Sequence, residues 1–273
     1  MATEDHAELL PRLVEAVREV GALAGSAHRG WPGDGATVEE MMTAFAAVDG
    51  PAGSLLRERT RALRPGARWA ADEVGTRVAD TGEEWVCDAI DGAVHYLQGL
   101  PYWSVTSTLV SGGRPVLAVI WAPQLGLLYT AVRGGGARLN GRPVAPSRKV
   151  LAAALATTSQ PPWNTEPERA GSSLTAMLRR TLAVRNLGPT SLQIAQVGSG
   201  HVDVFWEFGR DASNLLPGSL VAAEAGARVT DAAGRAWTPA ATSFVAAAPS
   251  LHGEVVDVLS DTVAAHRRQG AAS

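Results

Sequence analysis

Cysteine is almost missing from this chain: Cys87 is the only one in 273 residues, which excludes an internal disulfide. Long apolar runs are missing too. No stretch approaches the roughly 20 consecutive apolar residues that a membrane-spanning helix needs. Positive charge is not in excess, since a net charge of −3 and a pI near 6.1 leave no basic footprint for nucleic acid or an anionic membrane. Met1 to Val20 is interrupted by charges throughout and lacks the apolar core of a signal peptide. Internal repeats and low-complexity tracts are absent as well. The expectation is a soluble cytoplasmic protein acting on a small molecule, with neither nucleic acid nor membrane as partner. What is present, 46% hydrophobic and 19% charged residues, suffices to bury a sizeable core in one large domain or two small ones.

Apolar residues at Leu10, Val14 and Val17 recur at helical spacing and predict a first amphipathic helix, with Glu4, Asp5 and Glu8 at its favourable N-terminal end. Gly30 to Gly35 reads as a loop. Thr37 and Glu40 form a capping-box pattern that opens a second helix, and Pro51 suits the first turn of a third. Asp49 then falls in the junction between them. Alternation from Trp103 to Leu109, the break at Ser111-Gly112-Gly113 and the run Pro115 to Trp121 predict an antiparallel hairpin. Leu127 to Val132 is a further strand, and Gly134-Gly135-Gly136 reads as a tight bend rather than a phosphate cradle, since no helix start follows it. Pro161 to Asn164 marks a divide between an N-terminal half, residues 1–150, and a C-terminal half, residues 151–273. In the second half the pattern predicts helices near 172–180, 190–197, 214–225 and 251–266. Strands are expected near 151–157, 182–185, 202–206 and 243–247. Helices and strands intermix in both halves, which describes a layered α+β protein.

The chemistry is concentrated in Trp85-Val86-Cys87-Asp88-Ala89-Ile90-Asp91-Gly92-Ala93. Val86 and Cys87 end a short buried strand, and Gly92 permits a sharp reversal, so Asp88 and Asp91 can project from one loop. Paired carboxylates suit a hard divalent cation, which takes oxygen ligands. The same pair also suits a plain turn, because Asp caps turns with its own side chain.

This stretch resembles the signature of the inositol monophosphatase superfamily, Trp-Val-x-Asp-Pro-Ile-Asp-Gly-Thr followed by x-Asn-Phe. Here Ala89 replaces the proline, Ala93 the threonine, and His95-Tyr96 the Asn-Phe pair. The resemblance continues through Gly99-Leu100-Pro101, Gly136-Ala137-x-x-Asn140-Gly141 and Glu224-Ala225-Gly226, and so covers nearly the whole chain. It implies a layered αβαβα sandwich of the inositol monophosphatase and fructose-1,6-bisphosphatase type, Mg²⁺ as cofactor and a homodimer. It also assigns residues. A first metal would be held by Glu73, Asp88 and the Ile90 carbonyl, and a second shared by Asp88, Asp91 and Asn214. Asp49 matches an aspartate that helps orient the attacking water, and Gly92, Ala93, Arg185 and Glu207 match substrate-side positions.

Three departures fall at the reacting centre. Asn214 stands where the family has a metal-binding aspartate, and a neutral ligand removes one unit of attraction for a divalent ion, so one bound Mg²⁺ is expected and the second site is doubtful. Ala93 lacks the threonine hydroxyl, and Ala46 lacks another. Losing an oriented donor or acceptor commonly costs about a hundredfold. Asp211, three residues before Asn214, can offer a replacement carboxylate or act as an N-cap. His95 can move protons near neutral pH or sit in a packed or solvated position. Three readings follow: a weakened phosphatase for a small phosphorylated metabolite, a non-hydrolytic enzyme using the old site's acids and bases, or an inactive ligand-binding relative.

Overall fold

The computed structural model describes residues 2–27, 35–70, 80–160 and 166–260. Two long helices, α1 (Ala2–Ala27) and α2 (Val38–Leu63), come first. α1 turns Leu9, Leu13, Val17, Val20 and Ala24 inward, a spacing of three or four that forms one stripe. α2 opens with the capping box: the Glu40 N–H donates to Thr37 Oγ1 at 3.2 Å, and the Thr37 N–H to Glu40 Oε2 at 2.8 Å. The expected break at Pro51 does not occur. α2 runs through it as one helix, and Asp49 therefore lies in mid-helix rather than in a junction. Pro51 removes only the N–H that would bond the carbonyl of residue 47, and Ala47 and Pro51 both lie on the solvent side, where water can satisfy that group.

A first sheet follows, with β1 (Arg68–Trp69), β2 (Glu83–Asp91), β3 (Ser104–Ser111), β4 (Arg114–Ala122), β5 (Leu127–Val132), β6 (Gly136–Leu139) and β7 (Arg142–Pro143) ordered as in the chain. Only the β1–β2 pairing is parallel. The expected hairpin is β3–β4. The glycine bend joins β5 to β6, and both oxygens of Glu224 accept from its backbone, at 3.0 Å from the Gly134 and Gly136 N–H groups.

Between β2 and β3 the short helix α3 (Ala93–Leu97) intervenes. The second half supplies β8 (Leu155–Thr158), α4 (Pro167–Leu178), β9 (Ala183–Arg185), α5 (Thr190–Gly198), β10 (Val204–Phe208), α6 (Ala212–Glu224), β11 (Arg228–Thr230) and β12 (Ser243–Ala247). A final helix, α7, is described over 252–260. Its strands form a second sheet ordered β11-β12-β10-β8-β9. The expected divide at Pro161 to Asn164 lies outside the described residues.

Strand alternation explains the layering. In β4, Leu117 and Val119 face Leu13 and Val17 of α1 and Leu56 of α2, while Ala118 and Ile120 face Leu192 of α5 and Leu220 and Val221 of α6. The far sides of α5 and α6, with Ile194, Val197 and Leu215, cover Phe205 and Phe244 of the second sheet. That sheet's other face, with Trp206 and Val245, packs on Met177 of α4 and Val255 and Leu259 of α7. The result is the αβαβα sandwich. α5 and α6 approach so closely that a Cβ on Gly218 would stand 2.5 Å from Ile194 Cβ and 2.7 Å from the Ser191 carbonyl.

Candidate active site

β2 does not end at Cys87 as its pattern suggested; it continues to Asp91 with a register shift between Asp88 and Asp91. The cause is local. Asp88 Oδ1 accepts from the Ile90 N–H at 2.8 Å, taking a backbone donor out of the ladder and bulging the strand. The bulge is followed by Gly92 at φ 101°, where a Cβ would lie 3.1 Å from the Tyr102 carbonyl and 3.4 Å from Pro189. Only glycine fits that turn. The Pro189 contact brings the end of β2 against the start of α5.

There the carboxyl of Asp91, 4% exposed, meets two acids of the second half, Glu207 at the end of β10 (1%) and Asp211 just before α6 (3%). Hydroxyls surround them. Ser104 Oγ donates to Asp91 Oδ2 at 3.4 Å, and Thr190 Oγ1 to Glu207 Oε2 at 3.3 Å. Ser191 also bonds Asp91 through its side chain and its backbone N–H, and its Oγ stands 2.7 Å from the Asn214 carbonyl oxygen, so two acceptors share one hydroxyl proton. Asp211 occupies the N-cap position of α6 without capping it; Oδ1 instead accepts from Asn214 Nδ2 at 2.8 Å. The N-termini of α5 and α6 thus converge on the acids, and their dipoles favour negative charge there.

Burial dominates the electrostatics. It pushes the Asp91 carboxyl up to about 7, with the Asp211 charge adding to the rise and hydrogen bonds from Ser191 and Ser104 opposing it. Asp211 is pushed up to about 6, first by burial, against the stabilising bonds from Asn214 and Glu207. Glu207 is raised well above the ordinary carboxyl range by burial and then by the Asp211 and Asp91 charges. The contact between Glu207 and Asp211 raises Glu207 and lowers Asp211, on top of the burial that raises both.

The other sequence candidates are placed as follows. Asp49 on α2 is half-buried; burial raises its carboxyl, and its Oδ1 is buried without a hydrogen-bond partner. Asp88 and Ala93 are half-buried on either side of Asp91. His95 is half-buried with its ring edge-on to Tyr102 at 6.4 Å, and burial lowers its pKa. It makes no hydrogen bond or ion pair to Asp91 among the described residues. Arg185 is not brought to the acids: it is exposed on β9, two strands from β10, with Nη1 bonded to its neighbour's carbonyl at 2.8 Å. Trp206 is core, its Nε1 donating to Ser173 Oγ at 2.9 Å. Cys87 packs beside Ser107 at 3.1 Å. Glu73 and Trp163 lie outside the described residues. The hydroxyls of Ser104, Thr190 and Ser191 were missed; the Gly188-Pro189 turn before a helix start was the available signal.

The donor chemistry fits a hard cation in part. Asp88 and Asp91 offer acidic oxygens, and Glu207 Oε1 is a buried carboxyl oxygen with no acceptor bond. Among the described residues no three acids, histidines or cysteines stand close enough to hold a metal. A site built on Asp88 and Asp91 thus needs oxygens from elsewhere.

Layered sheets with buried acids gathered where β2 meets two helix N-termini place this chain in the class of αβαβα sandwich proteins. The comparisons give the family. Residues 5–264 match the model of the Inositol monophosphatase family, and the chain belongs to it. It is 33% identical over 191 residues to the Inositol-1-monophosphatase of Rhizobium meliloti, covering 68% of this chain and 71% of that protein. The Fructose-1,6-bisphosphatase/inositol-1-monophosphatase of Thermotoga maritima is 28% identical over 218 residues, covering 79% of this chain and 82% of that protein. A Nus factor SuhB from Pseudomonas aeruginosa is 35% identical over 154 residues, covering 55% of this chain and 57% of that protein. Among solved structures, the Thermotoga maritima IMPase superposes with a TM-score of 0.77 at 27% identity, covering 92% of this chain and 96% of that one.

Proposed function

We propose that this protein is a Mg²⁺-dependent phosphatase for a small phosphorylated metabolite, with hydrolysis slowed by its own site residues. In this reading Glu73, Asp88 and the Ile90 carbonyl hold one Mg²⁺, Asp88, Asp91 and Asn214 offer a weaker second place, and the protein works as a cytoplasmic homodimer. The observation that carries the reading is the gathering of Asp91, Glu207 and Asp211 in one buried cluster, in a member of a phosphatase family. Buried acids that raise one another's pKa are costly without a cation or a ligand, so their convergence supports use.

When bound, the ion would lower the pKa of a coordinated water and offset charge on the phosphate. The chain's own groups do the rest. Asp49, with a free buried oxygen, accepts a proton from an attacking water; the convergent α5 and α6 N-termini orient the substrate; Glu207, when it holds a proton, donates a hydrogen bond to a substrate oxygen. The slowing has two sources. Ala93 offers no hydroxyl to orient the water, and Asn214 offers a second cation a neutral amide oxygen where a carboxylate would carry charge.

The second reading, a repurposed enzyme without hydrolysis, is favoured by the same uncharged Asn214, which weakens the attraction for a second cation. A thermal-shift series separates the two. Sugar phosphates, inositol phosphates, nucleotides and unphosphorylated polar metabolites are screened with and without Mg²⁺. A metal-dependent shift with phosphorylated ligands is expected. A metal-independent shift confined to unphosphorylated ligands would replace the phosphatase reading with the other.

A further inference from the structure

A surface cavity extends from the residue beside Asp211 along α6. It has a volume of about 1080 Å³ and runs beside α6, between the β3–β4 turn and the connection from β11 to β12. One end of it lies by the turn, where Glu83 pairs with Ser111, and the other reaches Arg210, directly before Asp211, and Trp237, which packs with Val86 and Leu216.

The lining is of two kinds. Leu220, Val229, Trp237 and Pro239 make an apolar wall. Arg114, Arg133 and Arg210 make a basic rim, contributed by three separate segments. All three are exposed, and Arg114 and Arg210 have no ion-pair or hydrogen-bond partner among the described residues. Arg133 turns Nε and Nη2 onto the Pro115 carbonyl, at 2.9 and 2.6 Å, which fixes its guanidinium at the rim with Nη1 left over. Two acids line the same cavity, Asp80 and Glu224. Both oxygens of Glu224 are occupied by the Gly134 and Gly136 amides, so it competes poorly for the arginines. Guanidinium groups bind phosphate oxygens bidentately, and a flat apolar ring suits a wall carrying an indole.

We propose that this cleft is a second binding site, taking a phosphorylated small molecule with a flat apolar part such as a nucleoside diphosphate. The phosphates lie on Arg114 and Arg210, and the ring lies against Trp237 and Pro239. The site is independent of the phosphatase reading. Arg210 directly precedes Asp211, so occupancy is felt at the start of α6.

Calorimetry on the full chain in chelator, with ADP as probe and no divalent metal, tests it. Wild type is expected to bind ADP, and Arg114→Gln with Arg210→Gln to weaken binding about tenfold or more, as loss of two charge-assisted contacts requires. Asp91→Asn should leave ADP affinity within about twofold, and adenosine and pyrophosphate should each bind more weakly than ADP. Both arginines are exposed, so the variant's melting temperature should match wild type. Absence of ADP binding overturns the proposal, as does ADP binding that Asp91→Asn removes and the arginine variant keeps. Pyrophosphate binding as tightly as ADP overturns it too.

Discussion

Asp91→Asn in the metal-free protein should raise stability at pH 8 and change it little near pH 4. Burial moves this carboxyl from its ordinary 3.8 up to about 7 in the fold. A group whose folded pKa is raised binds its proton more tightly when folded, so its contribution is fully present below pH 4 and is lost as pH rises through 7. That displacement corresponds to about 4 kcal/mol between the two ends of the range. Asparagine resembles the protonated acid in shape and carries no charge at any pH. The variant should therefore gain on the order of 2–4 kcal/mol over wild type at pH 8, the lower figure allowing for relaxation around the charge and for sharing of protons with Asp211. Urea denaturation in chelator at pH 4.5, 6 and 8 reads it directly. A wild-type stability that does not fall from pH 4.5 to 8 would refute the reasoning, as would a variant no more stable than wild type at pH 8. Adding Mg²⁺ should reverse the order, because the ion stabilises the ionised Asp91 and has less to hold in the variant.

Asp88→Asn should weaken Mn²⁺ or Mg²⁺ binding in calorimetry by tenfold or more, in line with removal of one charged oxygen ligand, and equal affinity would remove Asp88 from the ligand set. Glu207→Gln should leave the melting temperature at pH 7 almost unchanged, because Glu207 already holds its proton there; a large loss would mean that its charge is structural. Gly218→Ala should cost about 2 kcal/mol or more, since its Cβ would stand 2.5 Å from Ile194 Cβ and force α5 and α6 apart. The same change should weaken metal binding by shifting Ser191, whose carbonyl lies 2.7 Å from that Cβ; unchanged stability would mean the helices slide freely.

Much of the fold was legible because the pattern is strong where strands are buried on both faces. The alternation around Ser111-Gly112-Gly113 marked a hairpin that forms as β3 and β4, and Ser243 to Ala247 appears as β12 with the expected limits. Pro51 misled because its position in the helix interior is costly only where the freed carbonyl is buried, and solvent exposure is not written in local sequence. β2 was drawn too short for a similar reason: the bond from Ile90 to Asp88 lets a strand pass through an acidic stretch by bulging. The Asp88, Asp91 pair was visible as a motif, but its surroundings were not. Thr190, Ser191, Glu207 and Asp211 reach Asp91 only through the packing of α5 and α6 against the first sheet. Asn214 could be read as a lost charge from register alone; that its amide turns onto Asp211 required coordinates. The arginine cleft draws on residues 114, 133 and 210, which no local window contains.

Slow hydrolysis caused by Ala93 and Asn214 is what we propose for this family member. Phosphate release from inositol monophosphate in saturating Mg²⁺, compared between wild type and the double variant Ala93→Thr with Asn214→Asp, tests it most directly. The account predicts slow release by wild type and about tenfold or faster release by the double variant, once a hydroxyl and a carboxylate are restored. Wild-type turnover already within the ordinary enzyme range, of order 1–10³ per second, with no gain in the double variant, would contradict it.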